Sequence, residues 1–300
     1  MFEKFSKIKP SMRRLINISP MACALHIMGS LLLSCLLLLS ACTEKSHYDK
    51  PTITVTIEPL RYFTEQIAAD RFQVVTMVPR GGSPETYEPS AQQMTALAHS
   101  SLYIKVGEIG FERTWTKRLQ DNAPHCLFVN ASEGIAPLST PHGHADPHTW
   151  MSAKNARLMA QNIFKALCEV NAADSALFRK NLNTLLATID SVDANIRQQL
   201  ASKPQRAFLI YHPVLTYYAH EYGLKQITLE EESHEPSAAD LQRVTDAARA
   251  QGVSTFFVQR EFANANIKAV QRELNCKQVD INPLGYQWNK EMTHIAQKLK

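Results

Sequence analysis

The 300-residue chain lacks a strong charge of one sign once its first segment is set aside. It contains 32 lysines and arginines against 28 aspartates and glutamates, a formal net charge of +4. Residues 1–41 carry five basic residues and one acidic residue, so the rest of the chain is neutral overall. Nucleic-acid-binding surfaces are strongly basic. We therefore expect no nucleic-acid partner.

The sequence motifs of several enzyme classes are also missing. The chain has no His-Glu-x-x-His segment of a zinc peptidase, no Gly-x-Ser-x-Gly nucleophile elbow and no glycine-rich phosphate loop. These absences argue against peptidases, α/β-hydrolases and nucleotide-binding enzymes. We predict a binding protein with no catalytic residues, and an extracytoplasmic zinc metalloenzyme is the rival from a different class.

Cysteines at zinc-finger spacing are missing as well. Of the six cysteines, the last three are Cys126, Cys168 and Cys276, and they are far apart in the chain. An odd number allows at most one internal disulfide and leaves one thiol over. We predict that these cysteines are buried or bridged and that none is a catalytic nucleophile.

The N-terminal segment has the order of a bacterial lipoprotein signal peptide. A basic start precedes an apolar run over 21–39, which leads into Leu39-Ser40-Ala41-Cys42, a tetrapeptide that resembles a lipobox. We predict a signal peptide over 1–41 and lipidation of Cys42. Firm attachment takes two or more acyl chains. A fully acylated Cys42 would hold the chain, through a tether over 42–51, on a cell or outer membrane, facing the periplasm or the cell surface.

Predicted strands and helices alternate on both sides of one long helical stretch. Such alternation is typical of parallel α/β sheets. Apolar residues recur every three or four positions over Asp174–Leu200, which predicts one helix roughly 40 Å long. We predict an α/β fold of two (β/α) lobes with parallel sheets: an N-terminal lobe over 52–170, a linking helix over 171–203 and a C-terminal lobe over 204–300.

Side chains that can bind a metal follow predicted strands at four positions. In open α/β sheets, ligands bind beyond the carboxyl ends of the strands. The four positions, two from each lobe, are Glu85, His148, His212 and Asp280. Each has an alternative role in a loop, a helix cap or a turn, and Glu88 could replace Glu85. Because both lobes contribute, one ion could be bound between them.

Several segments, in the right order, resemble the zinc- and manganese-binding solute-binding proteins of ABC importers, the cluster A-I family. They span about residues 52–300 and include 82–89, 106–115, 146–156, 211–213 and 280–285. The resemblance implies two (β/α) lobes joined by a long backbone helix, with the metal in the cleft between the lobes. Carried over by position, it implies the same four ligands. The family usually has His where this chain has Glu85.

The ligand types favour zinc. Two imidazoles and two carboxylates suit a tetrahedral Zn²⁺ and cancel its charge. Manganese-type members tend to carry Glu where this chain has His212, whereas Glu85 favours Mn²⁺ or Fe²⁺ because oxygen ligands suit those ions better. His142 and His144 are candidates for auxiliary metal recruitment, since zinc-type relatives often carry a His-rich loop near this place.

The resemblance also implies a function. We expect a monomeric extracytoplasmic lipoprotein that captures a divalent metal, zinc first, and delivers it to an ABC permease and its ATPase. The alternatives are a manganese- or iron-binding protein of the same transporter class, or a metal-binding adhesin.

Overall fold

The computed structural model describes residues 50–139, 143–202, 206–230, 237–259 and 265–299. The predicted signal peptide, Cys42, most of the predicted tether and His142 lie outside these residues. Within the described ranges, no helix is long and apolar enough to cross a membrane.

The first sheet has four parallel strands. They are β1 (Thr52–Val55), β2 (Gln73–Thr76), β3 (Ser100–Lys105) and β4 (Leu127–Asn130), in the order β2-β1-β3-β4. The connecting helices are α1 (Glu58–Ala68), α2 (Ala91–Ala98) and α3 (Gly110–Asn122). In the central strands β1 and β3, most residues are buried, as expected for a parallel sheet covered by helices.

Two helices follow the first sheet. α4 (Ala153–Val170) packs against α5 (Ser175–Ala201), and α5 also packs against α1 of the first lobe and the last helix of the second. At 1.5 Å per residue, the 27 residues of α5 span about 40 Å. One face of α5 is buried, formed by Phe178, Leu182, Leu185, Ile189, Val192, Ile196 and Leu200. This long helix therefore contributes to the core of both lobes.

The second sheet repeats the topology of the first. Its parallel strands are β5 (Ala207–Ile210), β6 (Lys225–Thr228), β7 (Thr255–Gln259) and β8 (Lys277–Ile281), in the order β6-β5-β7-β8. Its helices are α6 (Thr216–Tyr222), α7 (Ala238–Ala250), α8 (Ala265–Leu274) and α9 (Trp288–Lys298). The predicted α/β fold of two lobes with parallel sheets and one long helix is confirmed. The residue boundaries of the lobes stay a prediction.

Two buried tryptophans connect the lobes. Trp150 lies in the 3-10 turn Thr149–Met151, and its Nε1 donates a hydrogen bond of 2.9 Å to the carbonyl of Pro283. A second bond runs in the opposite direction between the lobes: Trp288 Nε1 donates to the carbonyl of Trp150 at 2.7 Å. Nearby, the Tyr286 hydroxyl donates to Glu65 Oε2 at 2.6 Å. These bonds fix the position of one lobe against the other.

Local contacts set the start of two helices. α6 begins at Thr216 rather than at Pro213, because Val214 N donates to the His212 carbonyl at 2.8 Å and forms a turn first. α1 begins at Glu58, where a proline within the first turn starts the helix.

The buried face of α5 gives a stability prediction. Ile189→Ala should lower the free energy of unfolding by about 2–5 kcal/mol, because the fully buried side chain leaves a cavity in the shared core. Thr184→Ala, at an exposed position on the same helix, is the matched control and should change stability by no more than about 0.5 kcal/mol. Urea unfolding measures both variants, and equal stabilities would contradict the role given to α5.

Candidate metal centre

His148 is held by the aspartate two residues before it. Asp146 Oδ1 accepts hydrogen bonds from His148 N at 2.8 Å and from the ring atom Nδ1 at 2.9 Å. An aspartate that bonds the backbone two residues later forms an Asx-turn, and Pro147 between them suits such a turn. His148 is only 6% exposed. The local sequence therefore fixes the direction of the imidazole.

His212 is held by a carboxylate from a neighbouring strand. It follows β5, and its Nδ1 lies 3.0 Å from Oε2 of Glu230, which follows the adjacent strand β6. Glu230 N donates to the Tyr211 carbonyl at 2.9 Å, so the parallel pairing of the two strands continues to the glutamate. Glu230 is 6% exposed. The pairing of β5 with β6 thus aligns this second imidazole.

The two imidazoles face each other. Their Nε2 atoms are 3.4 Å apart, and their rings are close to perpendicular, at 81°. The distance is longer than an ordinary hydrogen bond of about 2.7–3.2 Å. Two nitrogens bound to a tetrahedral zinc at about 2.0–2.1 Å lie roughly 3.3–3.4 Å apart, whereas the same bonds at right angles give roughly 2.9 Å. The spacing fits one edge of a tetrahedral metal site.

The structure does not show Glu85 beside these rings. Its Oε2 accepts a hydrogen bond of 3.0 Å from Gly110 N, the first residue of α3. The approach is close, because a β-carbon on Gly110 would lie 2.5 Å from Oε2 and 2.7 Å from the Glu85 carbonyl. Glu85 therefore satisfies an unpaired N–H at a helix start. Glu88, its predicted alternative, is exposed.

Asp280 lies in a different part of the space between the lobes. It belongs to β8, is exposed, and its Oδ1 accepts a hydrogen bond from Gln278 Nε2 at 3.0 Å. It lines a cavity of about 1210 Å³ together with Glu58 and Arg80 of the first lobe, and the two imidazoles are not in that lining. Over the described ranges, no three His, Cys, Asp or Glu side chains form a group that could hold a metal.

The auxiliary histidines fall in the loop before His148. His144 is exposed and sits beside the isolated antiparallel bridge between Ser139 and Ala145. Its partner in the prediction, His142, is outside the described residues. The auxiliary role of the pair stays a prediction.

Asp146 is ionised despite its burial. It is 3% exposed, and Oδ2 is buried without a hydrogen-bond partner among the described residues. Burial acts to raise the pKa of Asp146, but the electrostatic interaction with the adjacent His148 ring and the hydrogen bonds from His148 outweigh it and hold that pKa below its ordinary value. A carboxylate facing the far side of an imidazole is the usual arrangement behind a metal-binding histidine.

The cysteines take no part in this site. Cys126, Cys168 and Cys276 are all unpaired, and only Cys276 is buried while the other two are half-buried, so the prediction of buried or bridged cysteines is wrong for Cys126 and Cys168. Burial raises the pKa of Cys126 to about 11 and also raises the pKa of the other two thiols. Thiols rather than thiolates are therefore present at neutral pH, which makes them weak nucleophiles and weak metal ligands.

The sequence singles out both histidines as candidate ligands but not their carboxylate partners. Asp146 begins the segment 146–156, and its spacing of two residues from His148 is the signal for an Asx-turn. Glu230 lies 18 residues beyond His212 in sequence. Only the knowledge that β6 pairs with β5 could have placed it there.

The fold is that of a two-lobed solute-binding protein. Residues 53–300 match the family described as ZnuA, zinc-uptake complex component A, periplasmic, and the chain belongs to this family. A crystal structure of ZnuA superposes with a TM-score of 0.80 at 33% identity, covering 83% of this chain and 98% of that chain.

Two relatives extend the comparison. A Chlamydia trachomatis (serovar D) protein whose name describes it as metal-binding is 29% identical over 239 residues, which cover 77% of this chain and 84% of the relative. The high-affinity zinc uptake system protein ZnuA of Bacillus subtilis (strain 168) is 25% identical over 276 residues, which cover 84% and 86%.

The contact between Glu85 and α3 can be tested without metal. Glu85→Ala should lower the free energy of unfolding by about 1 kcal/mol in a chelator-containing buffer, because the Gly110 N–H loses its acceptor. Glu88→Ala, an exposed glutamate in the same loop, is the control and should leave stability unchanged. A Glu85→Ala variant as stable as the control would show that the hydrogen bond contributes nothing.

Proposed function

We propose that this chain captures a divalent metal between its lobes, zinc in preference to manganese or iron, and delivers it to an ABC permease and its ATPase. The observation that carries the proposal is the pair of Nε2 atoms 3.4 Å apart, each ring backed by a buried carboxylate. Membership of the zinc-uptake family and the zinc-uptake name of the Bacillus subtilis relative support the same conclusion.

The proposed ligands are His148 and His212, with Glu85 and Asp280 completing the set. The imidazoles are supported by their geometry. Glu85 uses one carboxylate oxygen on Gly110, which is compatible with monodentate binding through the other. Asp280 rests on the resemblance to the family alone. Four protein ligands leave no open coordination position, whereas a catalytic zinc keeps one for water.

Zinc is preferred over manganese on two grounds. Both imidazoles offer nitrogen as the ligand atom. The distance between their Nε2 atoms fits a tetrahedral angle at the metal better than a right angle. The carboxylates of Glu85 and Asp280 are the features that favour manganese, because a harder ion prefers oxygen ligands. We therefore place manganese or iron second, as alternatives within the same transporter class.

The mechanism is capture in a cleft of fixed width. α5 contributes to both lobes, and the bonds of Trp150 and Trp288 join them, so hinge motion is small. The permease must separate the lobes to release the ion. We propose that the mature chain acts as a monomer, bound outside the cytoplasm to a membrane through lipid on Cys42.

Removal of either imidazole should abolish stoichiometric zinc binding. We expect His148→Ala and His212→Ala to keep the fold, measured by circular dichroism, and to lose binding in calorimetry. His125→Ala, at an exposed position before β4, is the control and should bind zinc like the unaltered protein. Unchanged zinc affinity in either of the first two variants would show that the replaced histidine is not a zinc ligand.

The role of Glu85 in metal choice is testable by restoring the residue usual in the family. Glu85→His should increase the ratio of zinc to manganese affinity, because a third imidazole replaces an oxygen ligand. Competition titration with the two ions measures the ratio. A ratio equal to that of the unaltered protein would show that Glu85 is not a ligand.

A further inference from the structure

We propose that Asp146 and Glu230 are positioning residues for metal capture: each carboxylate accepts a hydrogen bond from the Nδ1–H of one metal-binding imidazole and so leaves the Nε2 lone pair facing the other ring. The inference rests on the proposed function, since it assigns a task within the same site. It adds two residues that are not ligands themselves.

The direction of each hydrogen bond is set by chemistry. An ionised carboxylate can only accept, so the ring nitrogen opposite it must donate. Nδ1 of His148 lies 2.9 Å from Asp146, and Nδ1 of His212 lies 3.0 Å from Glu230. A neutral imidazole carries one proton, so a proton on Nδ1 leaves Nε2 as an acceptor. Both rings are then in the tautomer that binds a metal through Nε2.

The same arrangement is built twice by unrelated parts of the fold. Asp146 reaches its histidine within a two-residue turn, whereas Glu230 reaches its own from the neighbouring strand. The backbone places both residues: the carboxylate of Asp146 accepts from His148 N, and the main chain of Glu230 donates to the Tyr211 carbonyl. Two unrelated parts of the fold orient the two rings in the same way, which indicates that this orientation serves a function.

The burial of the two carboxylates points the same way. Asp146 is 3% exposed and Glu230 is 6% exposed. Burial of a carboxylate is costly unless it is paired and hydrogen-bonded, and in the described part of the chain the ion-pair partner found for each one is a histidine ring rather than a Lys or Arg. A divalent cation bound at the two Nε2 atoms supplies positive charge to both carboxylates through the rings.

The test removes each charge while keeping the shape of the side chain. Zinc alone is the probe, and its affinity is measured in competition with a chromogenic chelator. Asp146→Asn and Glu230→Gln should each weaken zinc binding by about 10–100-fold. The matched controls Asp121→Asn and Glu169→Gln remove exposed carboxylates and should bind like the unaltered protein.

A second readout separates positioning from mere support of the fold. In long-range ¹H–¹⁵N spectra of the zinc-free protein, His148 and His212 should both be Nδ1-protonated, and each variant should shift its own ring towards the Nε2–H form. Folded variants with unchanged zinc affinity would overturn the proposal. So would an Nε2–H tautomer of both rings in the unaltered protein, a result that does not depend on whether a variant folds.

The outcomes also distinguish this proposal from the proposed function. Retained zinc binding in His148→Ala would contradict the site itself. Loss of binding in His148→Ala together with unchanged affinity in both carboxylate variants would contradict only the positioning role.

Discussion

The relative position of the two lobes is the constraint on which the rest of the structure depends. His148 and His212 come from different lobes, and the proposed site requires that their Nε2 atoms stay within a few tenths of an ångström of one separation. Two indole N–H groups donating to main-chain carbonyls across the junction provide that constraint, together with a long helix packed into both cores. A looser junction would keep each sheet intact and still lose the site.

The paired imidazoles also set the distribution of charge in the cleft. Asp146 and Glu230 bring two buried carboxylates close to the two rings. An ion that binds only the folded chain adds to its stability. In the proposed site that ion contacts the imidazoles, and the carboxylates act on it through the rings.

Much of this fold can be predicted from the sequence, because the spacing of apolar residues indicates which side of an element is buried. The buried face of α5 follows from the apolar spacing over Asp174–Leu200. His148 and His212 follow the predicted fourth and fifth strands along the chain. Contacts between distant segments are not readable in this way. The hydrogen bond between Glu85 and Gly110 joins residues 25 apart, and the Glu230 contact requires the strand order of the second sheet. The start of α6 is likewise not readable, because a local turn at His212 competes with helix formation.

The bonds that join the lobes have one further property. Trp150 and Trp288 donate from side chains, but their acceptors are main-chain carbonyls, those of Pro283 and Trp150. Tyr217 likewise donates to the carbonyl of Asp146 at 3.1 Å. Every residue type has a main-chain carbonyl, so accepting these bonds does not require a particular side chain. Replacement of Pro283 therefore leaves an acceptor for Trp150 in place, whereas replacement of either tryptophan by a residue without an N–H donor removes one of the bonds that join the lobes.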